Sequence, residues 1–326
     1  MKRILLLLTV SLNFIGFSIQ SQIVTIPDAN FKNALLADAS INTNSNTEIE
    51  VSEAAAVVNL DINTLSIADL TGIAAFTSLS SLQCYSNSIT TLNLSANTAL
   101  TVLDCGSNLL ASLNVSSNTA LTYLDCTFNM ITNLNVSANT NLVTLFCNDN
   151  ALTTLNVSAN PVLTNLHCSN NQLTSFDVSA DTILTNLECN YNLLDTLDVR
   201  SNPHLSNLLC TDNQLTALDV SKNTSLTLLD CTNNTAIALV CVNTTQLGLT
   251  SSNAANWLKP STAAWSTTNC ADTFVGIEEL SVSDAPKTIL HIYNVLGQEV
   301  DINSITIGVI YIYQYSDGSV KKIVRI

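Results

Sequence analysis

The sequence has few of the residues on which most enzymes and nucleic-acid-binding proteins depend. Its 326 residues include 3 histidines and 8 glycines, and no lysine or arginine occurs between Lys32 and Arg200. Without cations that long stretch cannot neutralise phosphates, which argues against nucleic-acid binding. It contains no glycine-rich phosphate loop, zinc-protease helix motif or nucleophile elbow. The sequence therefore gives no indication of catalysis.

Aromatic residues are also scarce, at 5%, although 47% of the chain is hydrophobic. The apolar content is almost wholly leucine, valine, alanine and isoleucine, which indicates a regular architecture in which small hydrophobic residues recur. The formal net charge is −15. Such acidity suits the solubility of an extracellular protein, and recruitment of divalent cations is the alternative.

The first 21 residues have the form of a secretory signal peptide. Lys2 and Arg3 precede an apolar run from Ile4 to about Ile15, and small and polar residues follow up to Ser21. The apolar run is too short to span a bilayer, and no cysteine lies near the cut that would mark a lipoprotein. We therefore predict export, with cleavage of residues 1–21.

The main feature of the sequence is a 21-residue repeat. Eight cysteines are spaced 21 residues apart without an insertion: Cys84, Cys105, Cys126, Cys147, Cys168, Cys189, Cys210 and Cys231. Aligned on the cysteine, each unit reads L-x-x-L-x-C-x-x-N-x-L-x-x-L-x-V-S-x-N-T-x. Leu124 and Cys126 alternate with polar neighbours, and so do Leu134 and Val136 half a unit later, which predicts two short parallel strands per coil. Asn129 and its equivalents mark a turn and predict a ladder of stacked amides.

This unit resembles the leucine-rich repeat, with cysteine in the third apolar position of its signature. The closest subtype is the short bacterial form, and the resemblance covers about residues 76–241. It implies a repeat solenoid, a leucine-rich-repeat fold that is mainly β, with short parallel β-strands and about eight 21-residue units. The flanking segments add a helical N-terminal cap and a small β C-terminal tail domain. Because one coil cannot fold alone, both ends of such a solenoid need caps.

Residues 22–75 are the predicted helical N-terminal cap. One helix begins near Asp28 and a second spans about residues 52–58. The loop between them has the ligand spacing of a degenerate EF-hand at Asn42, Asn44, Asn46, Glu48 and Glu53. The loop either binds calcium weakly or only links the helices, because Thr47 replaces the usual turn glycine.

Residues 242–275 resemble the C-terminal cap of secreted leucine-rich-repeat proteins. Cys241 and Cys270 are the disulfide candidates in an oxidising compartment. The eight periodic cysteines are expected to be a buried ladder of free thiols, because parallel in-register side chains keep neighbouring Cβ atoms too far apart for disulfides. Metal binding by the ladder is the weaker alternative, since tetrahedral sites need convergent ligands.

Residues 276–326 alternate like the strands of an independent small β unit and are similar to the C-terminal sorting domain of type IX secretion. The resemblance rests on YNVLGQEV at 293–300 and on the final GVIYIYQYSDGSVKKI at 308–323. It implies recognition by the secretion machinery and a protein that is secreted or attached to the outer cell surface. The alternative is a β cap that stays in place.

The exposed positions of the two strands differ. The second strand repeats Asn or Asp at Asn93, Asn114, Asn135, Asn156, Asp177, Asp198 and Asp219, which indicates a structural face. On the first strand the exposed residues vary between coils: Tyr85, Tyr123, Asp125, Phe128, Phe146, Asp149, His167, Glu188, Tyr191 and Asp212. This variation predicts a ligand-binding face for an extracellular protein or a glycan, unless it is drift on a solvated sheet.

The sequence thus predicts a non-catalytic binding or adhesion protein of the cell surface. The alternative is a structural or self-associating spacer. No cofactor is expected apart from the calcium that the cap loop would take.

Overall fold

The computed structural model describes residues 22–252, 255–267, 289–294, 299–300, 310–315 and 320–324. The predicted signal peptide, Cys270 and much of the predicted sorting domain lie outside these ranges. The chain divides into two compact units, Met1–Leu142 and Val143–Ile326. Across the described residues, no helix has the length and apolar character needed to cross a membrane.

The N-terminal unit begins with two helices, α1 (Ala29–Ala37) and α2 (Val51–Ala56). Asp28 is the N-cap of α1, as the sequence predicts, and its Oδ1 accepts from the Phe31 amide at 2.9 Å. The ring of Phe31 is fully buried and lies 6.2 Å from that of Phe76. This aromatic contact joins the cap to the first coils.

Asp28 also bonds to the first coil, because its Oδ2 accepts from the amides of Ala68 at 2.8 Å and Asp69 at 3.1 Å. Burial opposes ionisation of Asp28, but these backbone hydrogen bonds outweigh it and hold its pKa below the usual value. We expect Asp28→Ala to lower the free energy of unfolding by about 2 kcal/mol, because it removes the helix cap and the two hydrogen bonds that Oδ2 accepts. Urea denaturation would measure this.

The effect should depend on pH with a definite sign. A carboxyl whose folded-state pKa is lowered stabilises the fold above its unfolded pKa, and that stability disappears as pH falls through the folded value. The difference between wild type and Asp28→Ala should therefore shrink in acid. Asp28→Asn, which keeps a cap oxygen, should lie between the two, and an alanine variant as stable as wild type would contradict the role of the cap.

The coils of the N-terminal unit carry one parallel sheet along the first strand of each repeat. Its strands are β1 (Asn59–Asp61), β2 (Ser81–Gln83), β3 (Val102–Asp104) and β5 (Tyr123–Asp125), in that order. A 3₁₀ helix (Ile73–Ala75) precedes β2. The second strand appears as β4 (Leu113–Asn114) and β6 (Leu134–Asn135), which also pair in parallel.

The C-terminal unit repeats this arrangement. Its first-strand sheet contains β7 (Thr144–Phe146), β8 (Asn165–His167), β9 (Asn186–Glu188), β10 (Asn207–Leu209), β12 (Leu228–Asp230) and β14 (Trp257–Leu258). Its second sheet contains β11 (Leu218–Asp219), β13 (Leu239–Cys241) and β15 (Ala264–Ser266). Helix α3 (Thr244–Ser252) lies between β13 and β14. The predicted second strand is thus regular in some coils only, because just two or three residues per coil make its bonds.

The tail contains a three-stranded antiparallel sheet of β16 (Ile289–Asn294), β17 (Ile310–Tyr315) and β18 (Val320–Val324). Antiparallel pairing distinguishes it from the parallel coils. The strands agree with the predicted small β tail, whereas its start near residue 276 and its independence stay predictions. Whether that unit is a sorting signal stays a prediction.

The periodic cysteines form the predicted buried thiol ladder. All eight are free and fully buried. Their Sγ atoms approach carbonyl oxygens of the next coil, at 3.4 Å from Cys105 to Asp125 and 3.3 Å from Cys231 to Leu258. Burial raises the pKa of the Cys105 thiol well above its usual range and that of Cys231 to about 12. The thiols therefore remain protonated and act as small apolar side chains.

We expect the eight thiols to resist alkylation in the folded protein and to react fully once it unfolds. Iodoacetamide attacks the thiolate, and neither thiolate nor access is available without opening of the coil. Intact-mass spectrometry should show no adduct on the folded chain and eight adducts in denaturant. Rapid labelling of the folded chain, or fewer than eight adducts after unfolding, would contradict the ladder.

Two ladders of asparagine side chains satisfy the backbone at the turns. The predicted one contains Asn129, whose Nδ2 donates to the carbonyls of Cys105 and Cys126 at 3.1 and 3.2 Å and whose Oδ1 accepts from the Leu110 amide at 2.9 Å. The sequence analysis did not predict the second ladder. In it Asn118, fully buried, donates to the carbonyls of Leu94 at 3.1 Å and Asn97 at 2.8 Å. The carbonyls of Leu94 and Asn97 also accept from the backbone amides of Asn97 at 3.0 Å and Leu100 at 3.2 Å, so the second ladder adds a side-chain donor to each.

The C-terminal cap ends the second ladder with a glutamine. Gln246, in α3, donates through Nε2 to the carbonyls of Val220 and Asn223, both at 2.9 Å. Cys241 is buried and disulfide-bonded. Its predicted partner, Cys270, lies outside the described residues, so that pairing stays a prediction.

Candidate binding surface

The first-strand sheet of the N-terminal unit presents an acidic row. Asp61, Gln83, Asp104 and Asp125 occupy equivalent outward positions and are neighbours in the parallel register. Burial raises the pKa of Asp104, and the charges of Asp125 and Asp61 raise it further. Like charges on adjacent strands repel one another, so this row favours a positively charged neighbour.

Two carboxylates of this row also accept hydrogen bonds from the turn that follows their own strand. Asp125 Oδ1 accepts from the Thr127 amide at 2.9 Å and from its hydroxyl at 2.8 Å, and Asp104 accepts from the Gly106 amide at 3.1 Å. Tyr123 is half-buried beside Asp125, and burial together with that carboxylate raises its pKa to about 12. The predicted ligand residues Tyr123 and Asp125 therefore form a positioned pair.

Tyr85 is the exposed aromatic residue of this face, with 40% of its surface open. Its ring reaches across to the next coil at Gly106, where a Cβ atom would lie 3.2 Å from Tyr85 Cδ2 and 3.0 Å from Thr127 Oγ1. A side chain at position 106 would displace the ring. Glycine there lets Tyr85 lie along the sheet.

The C-terminal unit presents a different row, in which Phe146, His167 and Glu188 are neighbours in register. The Phe146 and His167 rings stack with centroids 4.3 Å apart and planes inclined by 26°. His167 Nε2 lies 3.6 Å from Glu188 Oε1. Because the two rings face each other, the stack covers one flat surface of each ring.

A parallel row of amides runs beside these residues. Asn186 Nδ2 donates to Asn165 Oδ1 at 3.2 Å, and Asn207 Nδ2 donates to Asn186 Oδ1 at 2.5 Å. Each amide keeps further donor and acceptor capacity for a bound molecule. This row did not stand out from the sequence, because asparagine is common throughout the repeat.

Four predicted ligand residues lie in the turn after the strand rather than on the strand. Phe128, Asp149, Tyr191 and Asp212 have left-handed backbone conformations, with φ values of 51°, 54°, 52° and 53°. Asp149 and Asp212 accept hydrogen bonds from Asn170 at 2.8 Å and Asn233 at 3.1 Å. Phe128 and Tyr191 are instead exposed, by 58% and 56%.

The second-strand face is structural, as its repetition predicts. Its Asn and Asp side chains accept from the backbone amide two residues later, for example Ser116 to Asn114 at 3.0 Å and Ser179 to Asp177 at 2.8 Å. The prediction that Asp219 is exposed is wrong. Asp219 is only 7% exposed, and all four residues from Ala217 to Val220 are buried, because both faces of β11 are covered.

The EF-hand-like loop of the cap uses its polar groups internally. Asn44 Oδ1 and Asn46 Oδ1 accept from backbone amides within the loop at 2.9 and 2.7 Å. Asn42 donates to the Asn46 carbonyl at 3.0 Å, and Glu48 pairs with Lys32 at 2.7 Å.

Glu53 is likewise used within the cap. It accepts from the amide and hydroxyl of Thr43 and from the Glu50 amide. Burial opposes its ionisation, but these bonds keep its pKa well below the usual value. Four of the five predicted ligands thus have an oxygen engaged within the cap, whereas Asn42 Oδ1 is buried without a hydrogen-bond partner among the described residues, and calcium binding stays a prediction.

The histidines do not come together. His167 lies on the strand row, His204 is exposed, and His291 contacts Glu299 at 2.5 Å in the tail. In the part of the chain that the structure describes, no group of three or more His, Cys, Asp or Glu side chains is placed to hold a metal. The chemistry available on these faces is that of recognition: charge, amide hydrogen bonds and a few exposed rings.

No family model matches the sequence, and the search of curated proteins found no relative. Solved structures do resemble it. The functional domain of InlJ from Listeria monocytogenes, which includes a cysteine ladder, is 35% identical with a TM-score of 0.55, and the match covers 68% of this chain and 57% of that one. This chain thus spans less than two thirds of the InlJ domain.

Internalin C2 from Listeria monocytogenes is 24% identical with a TM-score of 0.57, and the match covers 64% of this chain and 95% of that one. Both are similar in the parallel-stranded coils, and InlJ shares the ladder of cysteines described above. The coils, the asparagine turns and these likenesses together establish that the chain has the leucine-rich-repeat solenoid fold.

Proposed function

We propose that this chain is a non-catalytic, exported binding protein that engages another protein through its first-strand faces. The observation that carries the proposal is the contrast between two kinds of position. Interior leucine, cysteine and asparagine positions repeat and are satisfied by one another, whereas outward first-strand positions change from acidic to aromatic to amide. Side chains that contribute little to the fold are free to serve recognition.

The chemistry of these faces fits a protein partner. Leucine-rich-repeat solenoids offer extended surfaces to ligands, and exposed rings beside polar groups are typical of the energetically important residues at protein interfaces. Tyr85 on the N-terminal unit supplies such a ring, and the acidic row lies beside it. Glu188 and the amide row supply polar groups on the C-terminal unit.

A spacer that packs through the second-strand face is less well supported. The Asn and Asp side chains of that face are used to close their own turns. The formal net charge of −15 also opposes close packing of identical chains.

Arrays of extracellular proteins and of glycans, probed with the full chain, test the proposed function. We expect binding to a protein, weakened at least tenfold by Tyr85→Ala or by Phe146→Ala with Glu188→Gln, since truncating a central interface residue costs about 2 kcal/mol or more. Asn114→Ser, on the second-strand face, is the matched control and should bind like wild type. Binding only to glycans, or equal binding by all variants, would refute the proposed face.

Export is the second part of the proposal and rests on the terminal segments. Deleting residues 276–326 should remove most of the protein from the medium and the cell surface and leave it inside the cell. Immunoblotting of cell fractions measures this, with deletion of the cap loop residues 42–48 as an internal control of similar disruption. Undiminished export of the tail-deleted chain would contradict the sorting prediction.

A further inference from the structure

Three exposed apolar side chains lie in the turns that follow the first strands of two neighbouring coils of the N-terminal unit. Leu109, Phe128 and Met130 are 47%, 58% and 51% exposed. Their turns are held in register, because the amides of Leu109 and Met130 donate to the carbonyls of Ile89 and Leu110, both at 2.9 Å. We call these three residues the apolar edge. Leu109 and Met130 occupy the variable position after the turn asparagine of the repeat. The sequence did not predict that they would be exposed.

The apolar edge has no role in the fold that would explain its composition. Phe128 is held at φ 51°, a conformation that bulky side chains adopt at a cost. Six other coils hold smaller or polar residues at the equivalent position, namely Ser86, Ser107, Asp149, Asn170, Asp212 and Asn233, and one other coil holds the aromatic residue Tyr191. More than half of the Phe128 surface is exposed, so burial does not offset that cost.

The surroundings of the apolar edge are acidic. Asp125 lies three residues before Phe128 and closes the same turn, and Asp104 is its neighbour on the sheet. From residue 33 to residue 142 the N-terminal unit contains no lysine or arginine. No lysine or arginine of this stretch therefore competes for these carboxylates, which favours a cationic group on a bound molecule.

We propose that the apolar edge docks a protein segment that places apolar side chains against Phe128 and Met130 and lysine or arginine against Asp104 and Asp125. This inference rests on the proposed function and specifies the chemistry of its partner. A second copy of the chain fits poorly because it would bring the same negative charge. An anionic membrane surface fits poorly for the same reason.

Selection of random peptides displayed on phage against the full chain tests this chemistry. We expect enriched peptides to combine aromatic or aliphatic residues with lysine or arginine, and their binding to weaken as ionic strength rises. Phe128→Asn with Met130→Gln should weaken them at least tenfold, since two apolar anchors are lost. These replacements are the residues that the chain itself uses at Asn170 and Gln172, so the melting temperature should not fall.

Val162→Asn with Ile183→Asn removes two exposed apolar side chains that lie before the first strand of their coils, at the repeat position where the chain itself has Asn141, and is the matched control, which should bind these peptides like wild type. Enriched peptides that are acidic or purely polar, or that bind the Phe128 variant equally, would overturn the inference. The inference would also be overturned if the wild-type chain bound anionic vesicles or dimerised and the Phe128 variant alone lost that behaviour. If array partners still depend on Tyr85 while the Phe128 variant binds normally, the proposed function survives and this inference fails.

Discussion

Replacing Asp181 by asparagine should stabilise the protein by about 2 to 4 kcal/mol at pH 8. Asp181 occupies a position of the second asparagine ladder, where the neighbouring coil has Asn202. It is fully buried, and neither carboxylate oxygen has a hydrogen-bond partner among the described residues. This residue is a local defect in an otherwise regular ladder.

The defect arises because an ionised carboxylate cannot donate a hydrogen bond. Asn202 donates through Nδ2 to the carbonyls of Val178 at 2.8 Å and Asp181 at 2.9 Å. By the same 21-residue geometry, the side chain of Asp181 faces the carbonyls of Val157 and Asn160. An ionised carboxylate only accepts, so it would meet two acceptors, whereas an amide or a protonated carboxyl can donate.

The stabilisation should therefore depend on pH. Burial raises the pKa of Asp181 to about 7, and the nearby charge of Asp177 contributes. A carboxyl whose folded pKa is raised costs nothing while both states are protonated, and it destabilises the fold progressively as pH rises from the unfolded pKa through the folded one. Wild type should lose stability between about pH 4 and pH 7 relative to Asp181→Asn, and the difference should then level off.

Thermal and urea unfolding of both proteins across this pH range measure the effect. The reciprocal variant Asn118→Asp places a carboxyl in the same ladder of the N-terminal unit and should acquire the same pH dependence. If wild type and Asp181→Asn differ equally at pH 4 and pH 8, the buried carboxyl is not what distinguishes them.

The second large effect is expected from removing a ladder amide altogether. Asn118→Ala removes the side-chain donor from the carbonyls of Leu94 and Asn97, each of which keeps one backbone amide donor. Two buried hydrogen bonds are lost and a small cavity is left, so we expect a loss of about 2 to 3 kcal/mol. Chemical denaturation monitored by circular dichroism measures it.

Asn133→Ala is the matched control, because Asn133 is an exposed asparagine of the next coil. A surface truncation of this kind should change stability by less than about 0.5 kcal/mol. Equal effects of the two substitutions would mean that the buried ladder contributes nothing specific.

The 21-residue spacing was sufficient to predict the coils, the thiol ladder and the turn asparagines. Each of these follows from a local rule that every repeat obeys, such as alternation around Cys126 or a turn at Asn129. The second asparagine ladder is also present in the consensus. Its role became visible only when the structure placed Asn118 beside carbonyls that are 21 and 24 residues earlier.

The geometry of the candidate binding surface was predicted less well, and its role in binding stays a prediction. Variation between coils identified Tyr85 and Phe128, but it could not distinguish the strand from the left-handed turn that follows it. It also could not show that Phe146 and His167 stack on each other, or that Asp125 closes a turn. The exposure of Leu109 and Met130 was not predicted, because a single leucine or methionine in a leucine-rich sequence does not indicate whether it is buried or exposed.

Hydroxyl-radical footprinting of the full chain, with and without a protein partner from the arrays, tests the account most directly. If the first-strand faces and their turns bind that partner, Tyr85, Phe128 or Tyr191 should become protected from oxidation. Val162 and Ile183, which are 39% and 40% exposed away from these faces, should remain as reactive as in the free chain. Protection of Val162 and Ile183 with no change at the three aromatic residues would contradict the account.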